Sequence, residues 1–210
     1  MSWTSHIVPA FALGFALGAA PGPVQLLILT ETAKRGFSGG VPVILGANVT
    51  LFLVMVTLAF GFSTLAPGEG VLLGLHVVGG GFLIYLAGDE LWRLRAEAND
   101  PQDRGVVGTM GPTMRGVVSV ILNPGAWIFF ATTASAVIVD ATANGGRDAA
   151  LAAAVAMTIG VSASDFTFTA LGSGGRKLVG DRGLRWVRGA LSVGLATIGV
   201  VFVMQGLQLV

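Results

Sequence analysis

The stretch LGAAPGPVQLLILTETA, residues 17–33, decides how this chain folds, because two prolines interrupt an otherwise apolar helical run. A second interruption, Asn123-Pro124-Gly125, lies in another apolar run. A proline inside a helix removes a backbone donor and clashes with the preceding turn, at a cost of about 3 kcal/mol. Broken backbone deep in a bilayer persists only where protein or a polar cavity covers it. Discontinuous helices that meet near the midplane are typical of carrier binding sites, and the pattern therefore predicts a membrane carrier.

The composition supports a membrane protein. Of 210 residues, 53% are hydrophobic and only 11% are charged, and the mean hydropathy is +0.81. Soluble domains carry roughly 25% charged residues. The chain has no cysteine, which excludes disulfides, iron–sulfur clusters and thiolate metal sites.

Apolar runs predict an all-α integral membrane protein with six transmembrane helices. The predicted helices are residues 7–32, 41–64, 70–92, 115–139, 148–172 and 187–208. They divide into two three-helix repeats, residues 1–95 and 115–210, joined by a cytoplasmic linker at residues 96–114. Because three is odd, the second repeat would insert upside down, which gives an inverted-repeat architecture with helices 1 and 4 broken by proline. We expect the first helix to remain uncleaved, since no basic residue precedes it.

The basic residues predict the orientation. Placing both termini outside leaves eleven of the 12 lysines and arginines in cytoplasmic loops, with only Arg147 outside. The basic loop from Arg176 to Arg188 follows from this rule and also suits contact with anionic lipid, so we predict no nucleic-acid partner.

Small residues predict where helices touch, since lipid supplies no hydrophobic drive between helices. The candidates are the pairs Gly14/Gly18 and Gly70/Gly74 and the run Gly79-Gly80-Gly81. We expect them to pack helices within one bundle. The alternative is a homodimer contact.

The two breaks predict the binding site. A helix that restarts near the midplane presents positive amide ends, and the half that stops there exposes carbonyls, expected here at Leu17, Ala19 and Val120. This combination suits a zwitterion, with its carboxylate at amides and its ammonium at carbonyls. The candidate substrate-binding residues are Pro21, Gly22, Pro23, Gln25, Asn48, Asn123, Pro124, Gly125 and Trp127. The alternative for the prolines is a packing kink, and for each asparagine a hydrogen bond between helices.

Asp165 is the candidate for proton coupling. A carboxylate at the bilayer centre costs about 2.5–3.5 kcal/mol on insertion scales, so such residues face the bundle or a water-filled cavity. There Asp165 would bind and release a proton, or pair with a substrate ammonium. The alternative is a structural role beside the nearby Ser and Thr side chains.

The remaining polar residues predict little chemistry. Glu31, Asp89 and Glu90 lie near helix ends beside basic residues, and we expect surface ion pairs. His76 is expected to be packed and neutral. No spacing of His, Asp and Glu predicts a metal site, and no nucleophile or phosphate-binding motif is present, so we predict neither an enzyme nor a cofactor.

The chain resembles the lysine exporter family (LysE/RhtB type) along nearly its whole length. The resemblance rests on the first break with the Lys34-Arg35-Gly36 turn and on Gly46-Ala47-Asn48. The other matching elements are the run from Gly79 to Gly88, Leu91-Trp92-Arg93-Leu94, Ile121-Leu122-Asn123-Pro124-Gly125 and Phe129-Phe130. It departs from the family at Asn48, a position that is often acidic there, and this leaves Asp165 as the main deep carboxylate.

The resemblance implies six helices in a bacterial inner membrane and efflux of an amino acid or related zwitterion in exchange for protons. The residues leave alternatives open. These are an exporter of inorganic or metal ions, a six-helix electron-transfer protein, and a channel or scaffold without transport activity.

Overall fold

The computed structural model describes residues 4–20, 22–60, 69–99 and 110–208, and every element within them is helical. The elements in chain order are α1 (Thr4–Ala19), α2 (Pro23–Arg35), α3 (Phe37–Ala59), α4 (Glu69–Asn99), α5 (Pro112–Ile121), α6 (Pro124–Phe129), a π-helical turn (Phe130–Ala134) and α7 (Ser135–Leu207). The all-helical class predicted from composition is therefore confirmed.

Both predicted breaks are real ends of helices. α1 stops at Ala19 and α2 begins at Pro23, with 64° between them, whereas α5 stops at Ile121 and α6 begins at Pro124. Each new helix starts with proline. At the first position of a helix the backbone N–H has no partner within the helix, so its absence in proline costs no hydrogen bond. Pro21 lies outside the described residues.

Glycines bend the chain where one helix leads into the next. Gly36 lies between α2 and α3 with a φ of 73°, and its backbone amide donates to the Thr32 carbonyl at 2.8 Å. The 73-residue α7 is interrupted at Gly146 and Gly180, whose φ values are 69° and 65°. A positive φ is readily adopted only by glycine. We call residues 135–145, 147–179 and 181–207 the first, second and third segments of α7.

Several helices are long and apolar enough to cross a membrane. Within the described residues there are four, namely Phe37–Ala59, Gly70–Arg95, Pro124–Gly175 and Arg182–Leu207. They become five if the bent pair α1–α2 counts as one span. The chain is thus a multi-pass membrane protein, while six spans and an inverted repeat stay predictions. The observed bounds also differ from the predicted ones. α3 begins at Phe37 rather than residue 41, and α4 continues to Asn99 into the predicted linker. Each of the two loops predicted between residues 139 and 187 is reduced to a turn, at Gly146 and at Gly180.

The second segment of α7 lies at the centre of the bundle and packs against its neighbours mainly through alanine side chains. Ala150, Ala153 and Ala154 are completely buried there and pack in one apolar cluster with residues of α1 and α3, such as Ala10 and Met55. Small side chains let the surrounding helices approach closely without a hydrophobic drive from lipid.

The glycine prediction is confirmed in part. A Cβ added to Gly14 would overlap the Met157 carbonyl, and one added to Gly18 would crowd Ser164. Gly79 and Gly80 similarly lie against Leu122 and Gly199, so these glycines pack helices within one bundle. Gly70, Gly74 and Gly81 have no described atom within 4 Å of an added Cβ, so the packing role expected of them is not observed.

We predict that Gly116→Val destabilises the protein. An added Cβ would overlap the Val43 carbonyl, and backbone at a helix crossing cannot move aside. We expect a loss of about 1–3 kcal/mol, the usual cost of overpacking. Thermal unfolding of the detergent-solubilised protein measures it. Gly81→Val is the matched control, and an equal drop in Tm for both variants would contradict the prediction.

Candidate functional site

The two broken helices meet at a cavity of about 470 Å³. Most of its wall is apolar or glycine, and the polar contribution comes from a few side chains. The lining residues are Leu17, Gly18, Ala20, Gly22, Pro23, Val24, Gln25, Ala47, Asn48, Leu51, Val120, Asn123, Gly125, Ala126, Phe130, Val161, Asp165, Thr197, Ile198, Val201 and Phe202. The wall therefore combines both breaks with α3 and with the second and third segments of α7.

Most of the predicted site residues come together here. The predicted residues that line the cavity are Gly22, Pro23, Gln25, Asn48, Asn123, Gly125 and Asp165. Pro124 and Trp127 are not part of the lining, and Pro21 lies outside the described residues. Trp127 instead donates from its indole Nε1 to the carbonyl of Ile121 at 2.7 Å. Its ring packs edge-on against Phe130, which does line the cavity.

The expected free carbonyls at Leu17 and Val120 are not free. The Ala20 amide donates to Leu17 at 3.2 Å, and the Asn123 amide donates to Val120 at 3.2 Å. The chain tightens at each helix end so that short-range bonds use these acceptors, a common way for helices to finish. The prediction of free carbonyls at these two positions was therefore wrong.

Gln25 ties the first break to the opposite wall. Its amide nitrogen donates to the Gly18 carbonyl at 2.9 Å and lies 3.4 Å from Oδ1 of Asp165. One side chain thus satisfies a carbonyl at the end of α1 and contacts the deep carboxyl. Gln25 at the third position of α2 reaches back across the gap because the chain turns between the two helices.

Asp165 is buried, with 1% of its surface exposed, and its Oδ2 has no hydrogen-bond partner among the described residues. Asn48 lies beside it and donates to the Ser162 hydroxyl at 3.1 Å, which links α3 to α7. A buried oxygen without a donor costs free energy unless something else binds it. The site thus provides one carboxyl oxygen available to a proton or a ligand.

The second break has its own stabilising bonds. The Asn123 side-chain oxygen accepts from the Gly125 amide at 3.0 Å and so caps α6. The π-helical turn that follows places Phe130 in the cavity wall, and the Ser135 hydroxyl donates to the Phe130 carbonyl at 2.6 Å. Single π-helical turns often occur at functional sites.

A second polar cluster lies near the α2–α3 corner, which we call the basic end of the bundle. Arg115 binds Glu31 at 3.4 Å and Asp89 at 2.9 Å, while Arg188 binds Glu90 at 2.8 Å. Lys34 pairs with Glu31 at 3.0 Å and also with Glu90, and Arg93 pairs with Asp89 at 3.2 Å. We call these seven side chains the ionic layer.

The acids form ion pairs as expected, such as Lys34 with Glu31 and Arg93 with Asp89, but the expected surface position is wrong for Glu31 and Glu90. Glu31 and Glu90 are each 2% exposed, and Arg115 and Arg188 are 6% and 7% exposed. The sequence did contain a signal, since Glu31, Asp89 and Glu90 lie within the predicted apolar helices rather than in the loops between them. Pairing across α2, α4, α5 and α7 could not be read from one helix at a time.

Within the described residues, no group of three or more His, Cys, Asp and Glu side chains is arranged to hold a metal ion. His76 is buried and its Nδ1 lies 2.8 Å from the Leu72 carbonyl, while its ring packs edge-on against Phe202. It has the packed environment that was expected of it.

The model of the LysE type translocator family matches residues 15–209. The match includes both breaks, the cavity and the ionic layer. No curated protein and no solved structure matches the chain.

We predict that Gln25→Leu lowers the stability of the fold. The change leaves the Gly18 carbonyl and the Asp165 carboxyl without their shared donor, and an unsatisfied buried group costs about 1–3 kcal/mol. Thermal unfolding in detergent measures the effect. Gln205→Leu, at an exposed position of the last helix, is the control. Equal Tm values for Gln25→Leu and the parent protein would rule out this bridging role.

Proposed function

We propose that this chain, which belongs to the LysE type translocator family, exports an amino acid or related small zwitterion in exchange for protons. The observation that carries the proposal is the cavity between two broken helices, with one buried carboxyl that has an unpartnered oxygen. A cavity of this size, mostly apolar with a few convergent polar groups, is typical of small-molecule sites.

The carboxyl provides a simple means of coupling. Asp165 Oδ2 can hold a proton or accept from a substrate ammonium, but one oxygen in a confined site does not serve both well. Protonation from the outer side then displaces the substrate, and deprotonation on the inner side prepares the site for the next one. Intramembrane carboxyls commonly serve as proton relays in transporters.

The proposed topology is six spans in a bacterial inner membrane, with both termini outside. The apolar helical run Pro124–Gly175 contains 52 residues, whereas a span needs about 20. The turn at Gly146 divides that run into two lengths that each suit one crossing. Counted with the bent pair α1–α2, this makes six spans and leaves the basic end in the cytoplasm.

We expect Asp165→Asn to abolish proton-coupled efflux. Asparagine keeps the shape and can still accept from Gln25, but it cannot bind a proton or neutralise an ammonium. Cells expressing either protein are preloaded with amino acids as dipeptides, and release is followed with and without a proton gradient. Asp140→Asn is the control, because the Asp140 side chain is 65% exposed and lies in the first segment of α7, several turns before Asp165. Undiminished gradient-dependent efflux in the Asp165 variant would refute the coupling role, and no efflux of any amino acid by the parent would refute the proposed function.

A further inference from the structure

The charges in the cavity restrict the substrate that the proposed exporter can take. Among the described lining residues, Asp165 is the only ionisable side chain. A lysine or arginine substrate would bring a second cation with no second carboxylate to meet it. A glutamate substrate would bring a second anion where the lining offers no cation. Burying an unpaired charge is costly, so both classes are disfavoured.

The remaining wall favours an apolar side chain. Leu51, Phe130, Val161, Ile198 and Phe202 surround much of the cavity, and none has a polar atom in its side chain. A substrate hydroxyl or amide placed against this surface would lose its hydrogen bonds to water without replacement. In contrast, aliphatic groups gain by leaving water.

We infer that the substrates are amino acids with an uncharged aliphatic or thioether side chain, such as leucine, isoleucine or methionine. The ammonium lies at Asp165 and the side chain lies against the apolar wall. The substrate carboxylate meets neutral donors of the lining, among them the side-chain amides of Asn48 and Asn123. This inference rests on the proposed function and narrows it.

Efflux of leucine, alanine, lysine and glutamate from dipeptide-loaded cells tests the inference. We expect leucine to leave at least about tenfold faster than alanine, since each methylene in an apolar pocket contributes tenfold or more. Lysine and glutamate should leave at the rate of cells with empty vector. Fastest efflux of lysine or glutamate would overturn the inference but leave the exporter proposal standing, whereas no amino-acid efflux would overturn both.

A specificity change provides a second test of the same inference. Ile198→Asp places a second carboxylate in the apolar wall, and we expect it to raise the ratio of lysine to leucine efflux at least about tenfold. Ile198→Leu is the matched control, since it keeps the wall apolar. An unchanged ratio in the Asp variant would show that this wall does not contact the substrate side chain.

A different observation carries a second inference, which concerns access to the cavity. Along α2 and the third segment of α7, which both line the cavity, a similar order of residues leads toward the basic end. In α2 the order is Gln25 in the cavity, then Leu27 and Ile28 in an apolar cluster, then Glu31 in the ionic layer. In the third segment of α7 the order is Thr197 in the cavity wall, then Leu195 in a separate buried apolar cluster, then Arg188 in the ionic layer.

The other helices complete these layers. Val43, Ile44 and Leu86 pack with Leu27 and Ile28 in one buried cluster. Each of the five side chains is at most 2% exposed, so the cluster forms a dry apolar layer between α2, α3 and α4. The acids and cations of the ionic layer lie directly beyond it, on α2, α4, α5 and α7.

The geometry points to a two-layer gate that closes the cavity at its basic end, the end that the positive-inside rule assigns to the cytoplasm. The apolar cluster excludes water. On its side toward the basic end, the ionic layer joins α2, α4, α5 and α7 through ion pairs. Opening exchanges ion pairs for bonds to entering water, so each charged group has a partner in both states. An apolar seal without this layer would expose only hydrophobic side chains on opening, and these form no hydrogen bonds with the entering water.

The absence of cysteine from the natural sequence makes the gate directly testable. A single Val120→Cys change places one thiol in the cavity wall, and inside-out vesicles present the predicted cytoplasmic end to a membrane-impermeant maleimide. We expect slow labelling in this background. Adding Glu90→Gln, which removes the charge that Lys34 and Arg188 share, should speed labelling at least about tenfold.

Three further variants make the result decisive. Glu90→Asp keeps the charge and should label at the slow rate, and so should Arg95→Gln, an exposed arginine at the same end. Lys34→Gln, at the half-buried edge of the layer, should also speed labelling and decides the matter if the Glu90 variant does not fold. Equal labelling rates in all variants would show that the ionic layer does not close the cavity.

Discussion

The requirement that every backbone polar group inside a bilayer be bonded determines the arrangement of this protein. A helix meets that requirement along its length, but each break in a helix leaves amide and carbonyl groups that lipid cannot satisfy. Here the two breaks face each other across one cavity, and local bonds at Leu17 and Val120, together with the Gln25 side chain at Gly18, satisfy the nearest acceptors. Five buried side-chain atoms of the described residues have no hydrogen-bond partner, and of these only Asp165 Oδ2 belongs to a residue that lines the cavity. Within the described cavity lining, the buried side-chain atom without a partner is therefore a carboxyl oxygen, a group that can take up and release a proton.

In the proposed gate, the ionic layer acts as a contact that opens and closes rather than as a source of stability. Removing charges from water costs several kcal/mol for each ion, and pairing in a dry interior roughly repays that cost. Loss of one partner, however, leaves the other buried and unpaired, at about 3–5 kcal/mol. Such a layer determines which helices pair with each other but adds little to the free energy of unfolding. Two side chains each bind two partners at once. Glu90 pairs with Lys34 and Arg188, and Arg115 pairs with Glu31 and Asp89.

The sequence predicted the features that depend on local chemistry. Proline and glycine mark both breaks, and apolar runs mark helices. Gln25, Asn48 and Asp165 were each named as candidate site residues, and they line one cavity. The sequence could not predict features that depend on several helices together. The two loops expected within residues 135–207 are present only as tight turns at Gly146 and Gly180, because helical backbone extends close to each glycine from both sides. The acids at the basic end were expected at the surface because each helix, taken alone, places them beside a cation of its own, such as Lys34 for Glu31 or Arg93 for Asp89. Their burial depends on Arg115 and Arg188, which lie far away in the chain.

The packing also indicates which parts can move relative to each other. Where backbones touch through glycine, as at Gly14 with Met157 or Gly116 with Val43, no flexible side chain lies between the helices to absorb a displacement. These contacts join α1 to the second segment of α7 and α3 to α5. The ionic layer instead joins α2, α4, α5 and the third segment of α7 through long side chains, which adjust by changing rotamers. α2 carries both Gln25 at the cavity and Glu31 in the layer, on one helix that begins at a break. A tilt of α2 about that break would change the Asp165 contact and the ionic layer together, which is the linkage that the proposed exchange of a proton for a substrate requires.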